Sequence, residues 1–178
     1  GTETDSLDAD GEVTATHDMG DIDLVRAQEL VDEHLTGDIE QIPPMVSAIK
    51  IDGKRLHELA REGKEVERPP RPVTVSSFTL MPTEEANVVL AAVECSSGTY
   101  IRTLAADLGE LLGGGAHLRN LRRTAVGRFT LAEAGPPDDC ELLPVEEAVR
   151  TLDRVDITAD LDALVANGRM LPAWDGDG

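Results

Sequence analysis

Apolar residues that recur at helical spacing predict the helices of this chain. The first begins after Asp21 or Asp23, either of which can cap its opening turn, and ends near Leu35, just before Gly37. Further helices are predicted over 56–62, 99–112, 144–151 and 158–166, and Gly63 and Gly113 follow the first two of these. The last two follow a Gly-Pro-Pro connection.

Alternating or continuous apolar runs predict strands at 12–16, 45–50, 73–80 and 88–95, and an extended segment at 117–129. The run at 88–95 is nearly all apolar, so we predict that it is buried. Asp52-Gly53 predicts a turn. Because strands and helices are mixed without regular strand–helix–strand alternation, the pattern favours an α+β fold over a doubly wound sheet.

The length of 178 residues fits one domain, or one domain and the start of another. Cys95 and Cys140 lie outside metal-ligand spacing, and two cysteines in a chain of this size are typical of a reducing compartment. No apolar run has membrane-spanning length, which predicts a soluble, cytoplasmic protein. The chain begins at Gly1 and ends at Gly178 in a polar stretch, which indicates a fragment of a longer protein.

The formal net charge of −19 argues against a polyanionic partner, but its distribution changes that argument. Residues 1–40 carry a net charge of −12, residues 41–130 carry +2 and residues 131–178 carry −9. The arginines at 119, 122, 123 and 128 lie in a stretch without a single acid. The acidic flanks are therefore compatible with a solvated surface around a basic centre. Three lysines against 18 aspartates also suggest a saline or GC-rich source. A saline source predicts that added salt stabilises the protein.

Tyr100 is the only tyrosine, and it stands two residues before Arg102. The other aromatic residues are scattered singly at Phe78, Phe129 and Trp174, so the chain has no row of rings on which successive bases could stack. One interpretation is that Tyr100 meets a single base, and the other is a core tyrosine whose hydroxyl is satisfied. A buried Arg102 requires an acidic partner, because an uncompensated buried charge costs about 3–5 kcal/mol.

The acidic run 5–11 has two interpretations as well. A carboxylate in a tight loop can act as a nucleophile, a general base or an ion-pair partner, and it can equally be a solvated turn. The glycines at 113–115 follow a helix rather than a strand, so they favour loop geometry over a nucleotide site. The four histidines are dispersed, which argues against a metal site.

Four runs along the chain form a pattern in their order and spacing. They are Thr4-Asp5-Ser6-Leu7-Asp8-Ala9-Asp10-Gly11, Gln41-Ile42-Pro43-Pro44-Met45-Val46-Ser47-Ala48-Ile49-Lys50, Gly98-Thr99-Tyr100-Ile101-Arg102-Thr103 and Gly115-Ala116-His117-Leu118-Arg119-Asn120-Leu121-Arg122-Arg123. Together they resemble bacterial TruB-type tRNA pseudouridine synthases. Their order and spacing cover about residues 1–130. The resemblance implies a truncated α+β catalytic domain over 1–132, with a mixed, mostly antiparallel sheet. A connecting helical segment at 133–165 and the start of a truncated C-terminal region at 166–178 would follow.

The resemblance further implies that a uridine at position 55 of the tRNA T arm is flipped out and isomerised without a cofactor or a metal. Tyr100 would pack on the base and take the proton from carbon 5. Arg102 would pair with the catalytic aspartate, and Asp8 would hold Arg102 from the other side. Leu121 would line the base pocket. The residues implied near phosphates are Lys50, Arg119, Arg122 and Arg123, and no protein partner is implied.

One departure from the family pattern concerns the nucleophile. The family's catalytic aspartate lies in a G-x-L-D-P-x-A-x-G motif, which this sequence does not contain. Asp8 instead matches the later T-D-T-x-D-A-x-G loop, so we do not assign it as the nucleophile, and the family's upstream active-site tyrosine is also missing. The chain as given is therefore expected to be inactive by itself. The alternative function is a shortened RNA-binding or RNA-chaperone module without catalysis.

Overall fold

A computed structural model of the protein describes residues 1–51, 53–63, 66–139, 142–154 and 156–170. The strands in the first 121 residues are β1 (Thr2–Thr4), β2 (Val13–Thr16), β3 (Gly37–Gln41), β4 (Lys50–Ile51), β5 (Lys54–Arg55), β6 (Arg71–Pro82) and β7 (Val89–Cys95). The helices there are α1 (Leu24–His34), α2 (Leu56–Arg61) and α3 (Ile101–Leu111). The chain divides into two units, 1–121 and 122–178. The predicted domain limits at 132 and 165 stay predictions.

An antiparallel sheet in the order β3-β6-β7 is the centre of the first unit. Ile39 of β3 lies opposite Val73 of β6, and Phe78 of β6 lies opposite Val93 of β7. The sequence pattern does not predict β3, because its five residues contain a single apolar side chain, Ile39. Pairing with the long β6 compensates for that weak local preference, since strand formation depends strongly on tertiary context. The mixed α+β class predicted from the sequence is confirmed.

Helices α1 and α3 pack on the sheet and close the core. Its buried members are Val31, Leu35, Val75, Phe78 and Leu104. Of the two predicted caps, Asp23 is the one observed, and its Oδ1 accepts hydrogen bonds from the backbone N–H groups of Val25 (3.0 Å) and Arg26 (3.2 Å). These contacts satisfy two of the donors that the first turn of a helix leaves unpaired. The packing fixes α3, whose first turn carries Arg102.

The predicted burial of the apolar run at 88–95 is wrong. Strand β7 lies at the edge of the described sheet, where Leu90 is 57% exposed and Ala91 and Ala92 are also exposed. Only alternate side chains such as Val93 and Cys95 pack against the core. A continuous apolar run predicts burial on both faces only where both faces are covered, and in the described residues α1 and α3 cover one.

The prediction of a strand over 45–50 is also wrong for most of that segment. Residues 45–48 form bends, and only Lys50–Ile51 pair, with Lys54–Arg55 in a short hairpin. Asp52 lies outside the described residues, and Gly53 next to it has φ +83°, as the predicted turn requires. Pro43 and Pro44 have no N–H to donate, and Ser47 instead makes a local bond to the Met45 carbonyl (3.0 Å). The 45–48 segment is therefore a shaped loop.

The second unit consists of short elements. They are β8 (Ala125–Val126), β9 (Phe129–Thr130), 3-10 helices at Leu131–Glu133, Pro137–Asp139 and Val145–Val149, and the helix α4 (Ala159–Ala166). The extended segment predicted at 117–129 therefore contains a hairpin turn at Gly127, and the helix predicted at 144–151 is a 3-10 helix. The helix predicted at 158–166 is confirmed as α4. Cys140 and Trp174 lie outside the described residues. None of the helices in the described part of the chain combines the length and the apolar character needed to cross a bilayer.

Candidate functional site

The acidic loop between β1 and β2 is tightly organised. The Ser6 hydroxyl and the Asp8 carboxylate are 2.6 Å apart, and the backbone N–H of Asp10 donates to the same Asp8 Oδ1 at 3.2 Å. The Thr4 hydroxyl donates to the Asp8 carbonyl at 2.7 Å. These bonds hold the second carboxylate oxygen of Asp8, Oδ2, in a defined position, which a freely solvated turn would not do.

A strand-like contact anchors this loop to the segment after α3. Ala9 N–H donates to the Leu118 carbonyl, and Leu118 N–H donates to the Leu7 carbonyl, both at 3.0 Å. The glycines between α3 and Leu118 allow this close approach. Gly113 has φ +83°, and a side chain at Gly115 would collide with Glu3. The loop interpretation of the glycine run is thereby confirmed.

Arg102 lies in the first turn of α3 and points into this loop. Its Nη1 donates to Asp8 Oδ2 at 3.0 Å and to the Ser6 carbonyl at 3.1 Å, and its Nη2 donates to the Val46 carbonyl at 2.7 Å. The Arg102 side chain is 22% exposed and that of Asp8 is 27% exposed. One guanidinium thus connects the acidic loop, the 45–48 loop and α3. The acidic partner that Arg102 requires is Asp8.

The charge state of Asp8 matches this arrangement. The hydrogen bond from the Ser6 hydroxyl, helped by the Asp10 N–H and by the Arg102 guanidinium, lowers the pKa of the Asp8 carboxyl against the opposing effect of burial. Asp8 is therefore a carboxylate at neutral pH, and it compensates the positive charge of Arg102.

Tyr100 is the residue immediately before α3, with an extended backbone at φ −99° and ψ 106°. Among the described residues, its hydrogen bonds are made by the backbone. Tyr100 N–H donates to Gln41 Oε1 at 2.9 Å, and Gln41 Nε2 donates to the Tyr100 carbonyl at 3.3 Å. Gln41 is 2% exposed. The paired amide fixes the backbone at Tyr100, and the residue as a whole is partly exposed.

The residues predicted to contact phosphates are less closely grouped. Arg119 forms an exposed ion pair with Glu85 at 2.6 Å, and Leu121 is 61% exposed at the end of the first unit. Arg122 and Arg123 are exposed in the second unit. The side chain of Lys50 lies outside the described part of the chain. Among the described residues of the first unit, the structure therefore brings Asp8 and Arg102 together, and it pairs Arg119 with Glu85 instead.

Sequence reasoning missed three groups that shape this site. They are the Ser6 hydroxyl, the Gln41 amide and the Val46 carbonyl. Gln41 stands at the end of a strand without a sequence signal, and Val46 contributes a backbone atom, which no side-chain pattern can reveal. Ser6 stands two residues before Asp8, a spacing that suits a local hydroxyl–carboxylate bond.

Two family models match the chain. The TruB family pseudouridylate synthase N-terminal domain matches residues 1–101, and the tRNA pseudouridylate synthase B C-terminal domain matches residues 102–164. The chain belongs to the TruB family. The boundary between the two matches falls between Ile101 and Arg102, so the Asp8–Arg102 ion pair joins residues from both matched regions of the TruB chain.

TruB relatives share much of this sequence. A tRNA pseudouridine synthase B of Aromatoleum aromaticum is 48% identical over 167 residues, which cover 94% of this chain and 51% of the relative. The enzyme of the same name from Corynebacterium aurimucosum is 46% identical over 181 residues, covering 96% of this chain and 60% of the relative. That of Mycobacterium tuberculosis H37Rv is 39% identical and covers 100% of this chain and 62% of the relative. The chain thus spans about half to three fifths of the length of these relatives.

A solved structure is also similar to this chain. It is a crystal structure of a Cbf5–Nop10–Gar1 complex, with a TM-score of 0.49 and 32% sequence identity. The match covers 65% of this chain and 29% of that one.

Proposed function

We propose that this chain is the RNA-binding and arginine-bearing part of a TruB enzyme that isomerises uridine 55 in the T arm of tRNA to pseudouridine. Family membership and the names of the relatives support the reaction class and the tRNA substrate. The observation that carries the proposal is the Arg102 guanidinium, held at three points beside Tyr100 with donors left over. A tRNA substrate also implies a cytoplasmic location.

The donor inventory of Arg102 supports a role toward a second carboxylate. A guanidinium has five N–H donors, and the three bonds to Asp8, Ser6 and Val46 use both hydrogens of Nη1 and one of Nη2. In the described residues, Nε–H and the second Nη2 hydrogen are left for another acceptor. A catalytic aspartate is the acceptor that the family pattern implies, and two N–H groups of one guanidinium fit a carboxylate.

Asp8 makes this arrangement electrostatically stable. An arginine that is only 22% exposed requires a fixed counter-charge, and the ionised Asp8 supplies it at 3.0 Å. The Asp8 carboxylate therefore holds Arg102 in place before a second carboxylate or a substrate arrives. We propose Asp8 as a positioning residue, and Arg102 as the group that orients the catalytic aspartate.

Tyr100 is proposed to contact the flipped base. Its backbone is fixed by Gln41, and the residue is partly exposed and stands two positions before Arg102. A flipped pyrimidine loses its stacking in the RNA, and one aromatic ring can replace it. In the reaction, the bond from the ribose to nitrogen 1 breaks and a bond to carbon 5 forms. The proton on carbon 5 then passes to the Tyr100 oxygen, which is proposed to accept it as the phenolate, and nitrogen 1 of the reattached base takes up a proton from solvent.

The remaining predicted residues are proposed to contact the RNA around this base. Leu121 is a large apolar side chain with 61% exposure, so contact with the base would bury apolar surface. Arg122 and Arg123 are exposed and, within the described residues, have no ion-pair partner. Arg119 would have to exchange Glu85 for a phosphate, and an exposed ion pair is worth only about 0.2–1 kcal/mol. Lys50 is proposed as a further phosphate contact.

Two measurements test the function. Filter binding of the chain to a T-arm hairpin, with an anticodon hairpin as control, is expected to show preferential binding that weakens with salt. Tritium release from the hairpin labelled at carbon 5 of uridine 55 is expected from the protein of the complete reading frame. Binding without tritium release from that protein would favour the alternative of an RNA-binding module. Absence of binding at low salt would overturn both functions.

A further inference from the structure

Arg150 in the second unit fixes a hairpin that carries part of the basic run. Its Nη2 donates to the Arg128 carbonyl, and its guanidinium carbon lies 3.9 Å from the centroid of the Phe129 ring. Both neighbours belong to the β8–β9 hairpin, Arg128 in its turn and Phe129 at the start of β9. The Arg150 side chain is 22% exposed, although the residues around it are mostly exposed. A cation from the C-terminal segment is thus placed directly against the turn.

The other end of the guanidinium is held by two carboxylates. Arg150 Nη1 lies 2.8 Å from Glu133 Oε1 and 3.4 Å from Glu147 Oε2. Glu133 also accepts hydrogen bonds from Thr130 N–H at 2.9 Å and from the Thr130 hydroxyl at 3.0 Å, at the end of β9. Arg150 therefore connects the 145–149 helix to the turn residue 128 and, through Glu133, to the end of the hairpin. The hydrogen bond from Arg150, aided by those from Thr130, lowers the pKa of Glu133 to about 2.

The side chains of Arg122, Arg123 and Arg128 differ from that of Arg150 in exposure and in pairing. All three are exposed, and in the described part of the chain no carboxylate pairs with them. Arg122 and Arg123 lead into β8, and Arg128 lies in the turn whose carbonyl Arg150 binds. Arg150 engages Glu133 and Glu147, and Thr130 also binds Glu133, so these two carboxylates do not pair with the other arginines. The fixed hairpin thus presents cations that are available to an anion.

We propose that Arg150 is a positioning residue for RNA binding, which fixes the β8–β9 hairpin so that Arg122, Arg123 and Arg128 can contact phosphates together. This inference rests on the proposed function, since it assumes that the chain binds RNA. Arg150 itself does not touch the RNA. It lowers the cost of ordering the backbone of the hairpin when the complex forms, a cost that weakens binding by a flexible loop.

Lysine at position 150 would not serve the same purpose. A guanidinium can contact two carboxylates, a carbonyl and a ring face at once because it is planar and has donors in a fixed geometry. A lysine keeps the charge but offers a single ammonium group on a flexible chain. Arg150→Lys should therefore lose most of the positioning, although the net charge of the protein is unchanged.

The test compares variants of the full chain in binding to a T-arm hairpin between 0.05 and 0.3 M salt. Arg150→Met and Arg150→Lys are the test variants, and Arg154→Met is the matched control. Arg154 is 88% exposed and pairs only with Asp156 among the described residues, so its removal changes the net charge equally without touching the hairpin. A triple variant, Arg122→Ala with Arg123→Ala and Arg128→Ala, provides the background for a double-mutant cycle.

Arg150→Met is expected to weaken binding about five- to tenfold near 0.1 M salt and to reduce the salt slope by about 0.7–0.9, the equivalent of one phosphate contact. Arg150→Lys should show nearly the same loss of affinity and of salt slope as Arg150→Met. Arg154→Met should keep the salt slope of the unmodified chain. In the triple-alanine background, Arg150→Met should add little, because the side chains through which it acts are gone. Loss of thermal stability alone would not change the salt slope or this non-additivity.

The outcomes separate the two proposals. If the unmodified chain does not bind the hairpin at low salt, the proposed function fails, and the positioning role fails with it. If the triple variant weakens binding but Arg150→Met does not, or if its effect is undiminished in the triple background, the positioning role alone is overturned.

Discussion

The guanidinium of Arg102 and the carboxylate of Asp8 lie 3.0 Å apart although 94 positions separate them in the chain. This ion pair joins the loop between the first two strands to the beginning of α3. Ser6 and Val46 accept further hydrogen bonds from the same guanidinium. Two loops and one helix therefore depend on a single side chain for their relative placement in the first unit.

Arg102→Lys is the substitution that best tests the role of this geometry. Lysine keeps the positive charge but cannot contact Asp8, Ser6 and Val46 while also presenting two parallel donors to a second carboxylate. In the protein of the complete reading frame, we expect tritium release to slow about hundredfold, comparable to the loss of one preorganised electrostatic contact. Affinity for the T-arm hairpin should stay within a few fold, because the guanidinium is proposed to act on carboxylates.

Arg102→Ala and Asp8→Asn serve as companions to that variant. The alanine variant should lose most turnover, again with near-normal RNA affinity. Asp8→Asn keeps the shape of the side chain but removes the counter-charge, so turnover should fall by a smaller factor. An unimpaired rate in Arg102→Ala would refute the proposed role of the guanidinium.

Tyr100→Phe separates the ring from the hydroxyl. The ring can still pack on the flipped base, so the variant should bind the T-arm hairpin normally. Without the phenol, the proton on carbon 5 has lost its proposed acceptor, and the reaction should slow after the glycosidic bond has broken. Single-turnover measurements should show RNA consumed faster than tritium is released. Wild-type rates of both steps would show that the hydroxyl is dispensable.

The sequence predicted the elements of this chain better than their environments. Helical spacing located α1 and α3, and Asp23 as a cap follows from local chemistry. The burial of β7 was predicted wrongly because an apolar run does not reveal which strand lies at an edge. Strand β3 was missed because it pairs with β6 between residues 30 positions apart, as for Gln41 and Arg71, and 38 positions apart, as for Gly37 and Val75.

At the candidate site, too, the sequence predicts some contacts and only the folded chain reveals others. A partly buried arginine requires an acid, which electrostatics predicts from sequence, and Asp8 was selected by its place in a family-like loop. The other partners of Arg102 are the carbonyls of Ser6 and Val46, and backbone atoms carry no residue-specific pattern. The Gln41 amide that fixes Tyr100 is 59 positions away, so only the folded chain reveals it.

The acidic surface should make the stability of this protein salt-dependent. A net charge of −19 on 178 residues destabilises the compact state through self-repulsion, and 1 M salt shortens the screening length to about 3 Å. We expect the Tm to rise by several degrees between 0.05 and 1 M KCl. Calorimetry at both concentrations measures this, with sodium sulfate excluded because it also strengthens apolar burial. An unchanged Tm would contradict the hypothesis that salt stabilises this acidic protein.

Asp107 should give the stability a pH dependence of its own. It lies on α3 in a cleft of about 320 Å³ lined also by His34, Glu40 and Glu110. Burial, with a smaller contribution from the Glu110 charge, raises the pKa of Asp107 from 3.8 to about 6. Because the folded value exceeds the unfolded one, the protonated carboxyl favours the fold below pH 4. This advantage is lost as the pH rises from 4 to 6.

Asp107→Asn removes the charge that must be buried above pH 6. At pH 7.5 the variant should be more stable than the unmodified chain by about 1 kcal/mol, a value reduced from the full pKa shift because part of the side chain faces water. At pH 4 the two proteins should unfold at nearly the same urea concentration. Glu110→Gln, which removes only the smaller contribution, should give a fraction of the gain at pH 7.5. Equal stability of all three proteins at both pH values would show that burial does not hold the proton on Asp107.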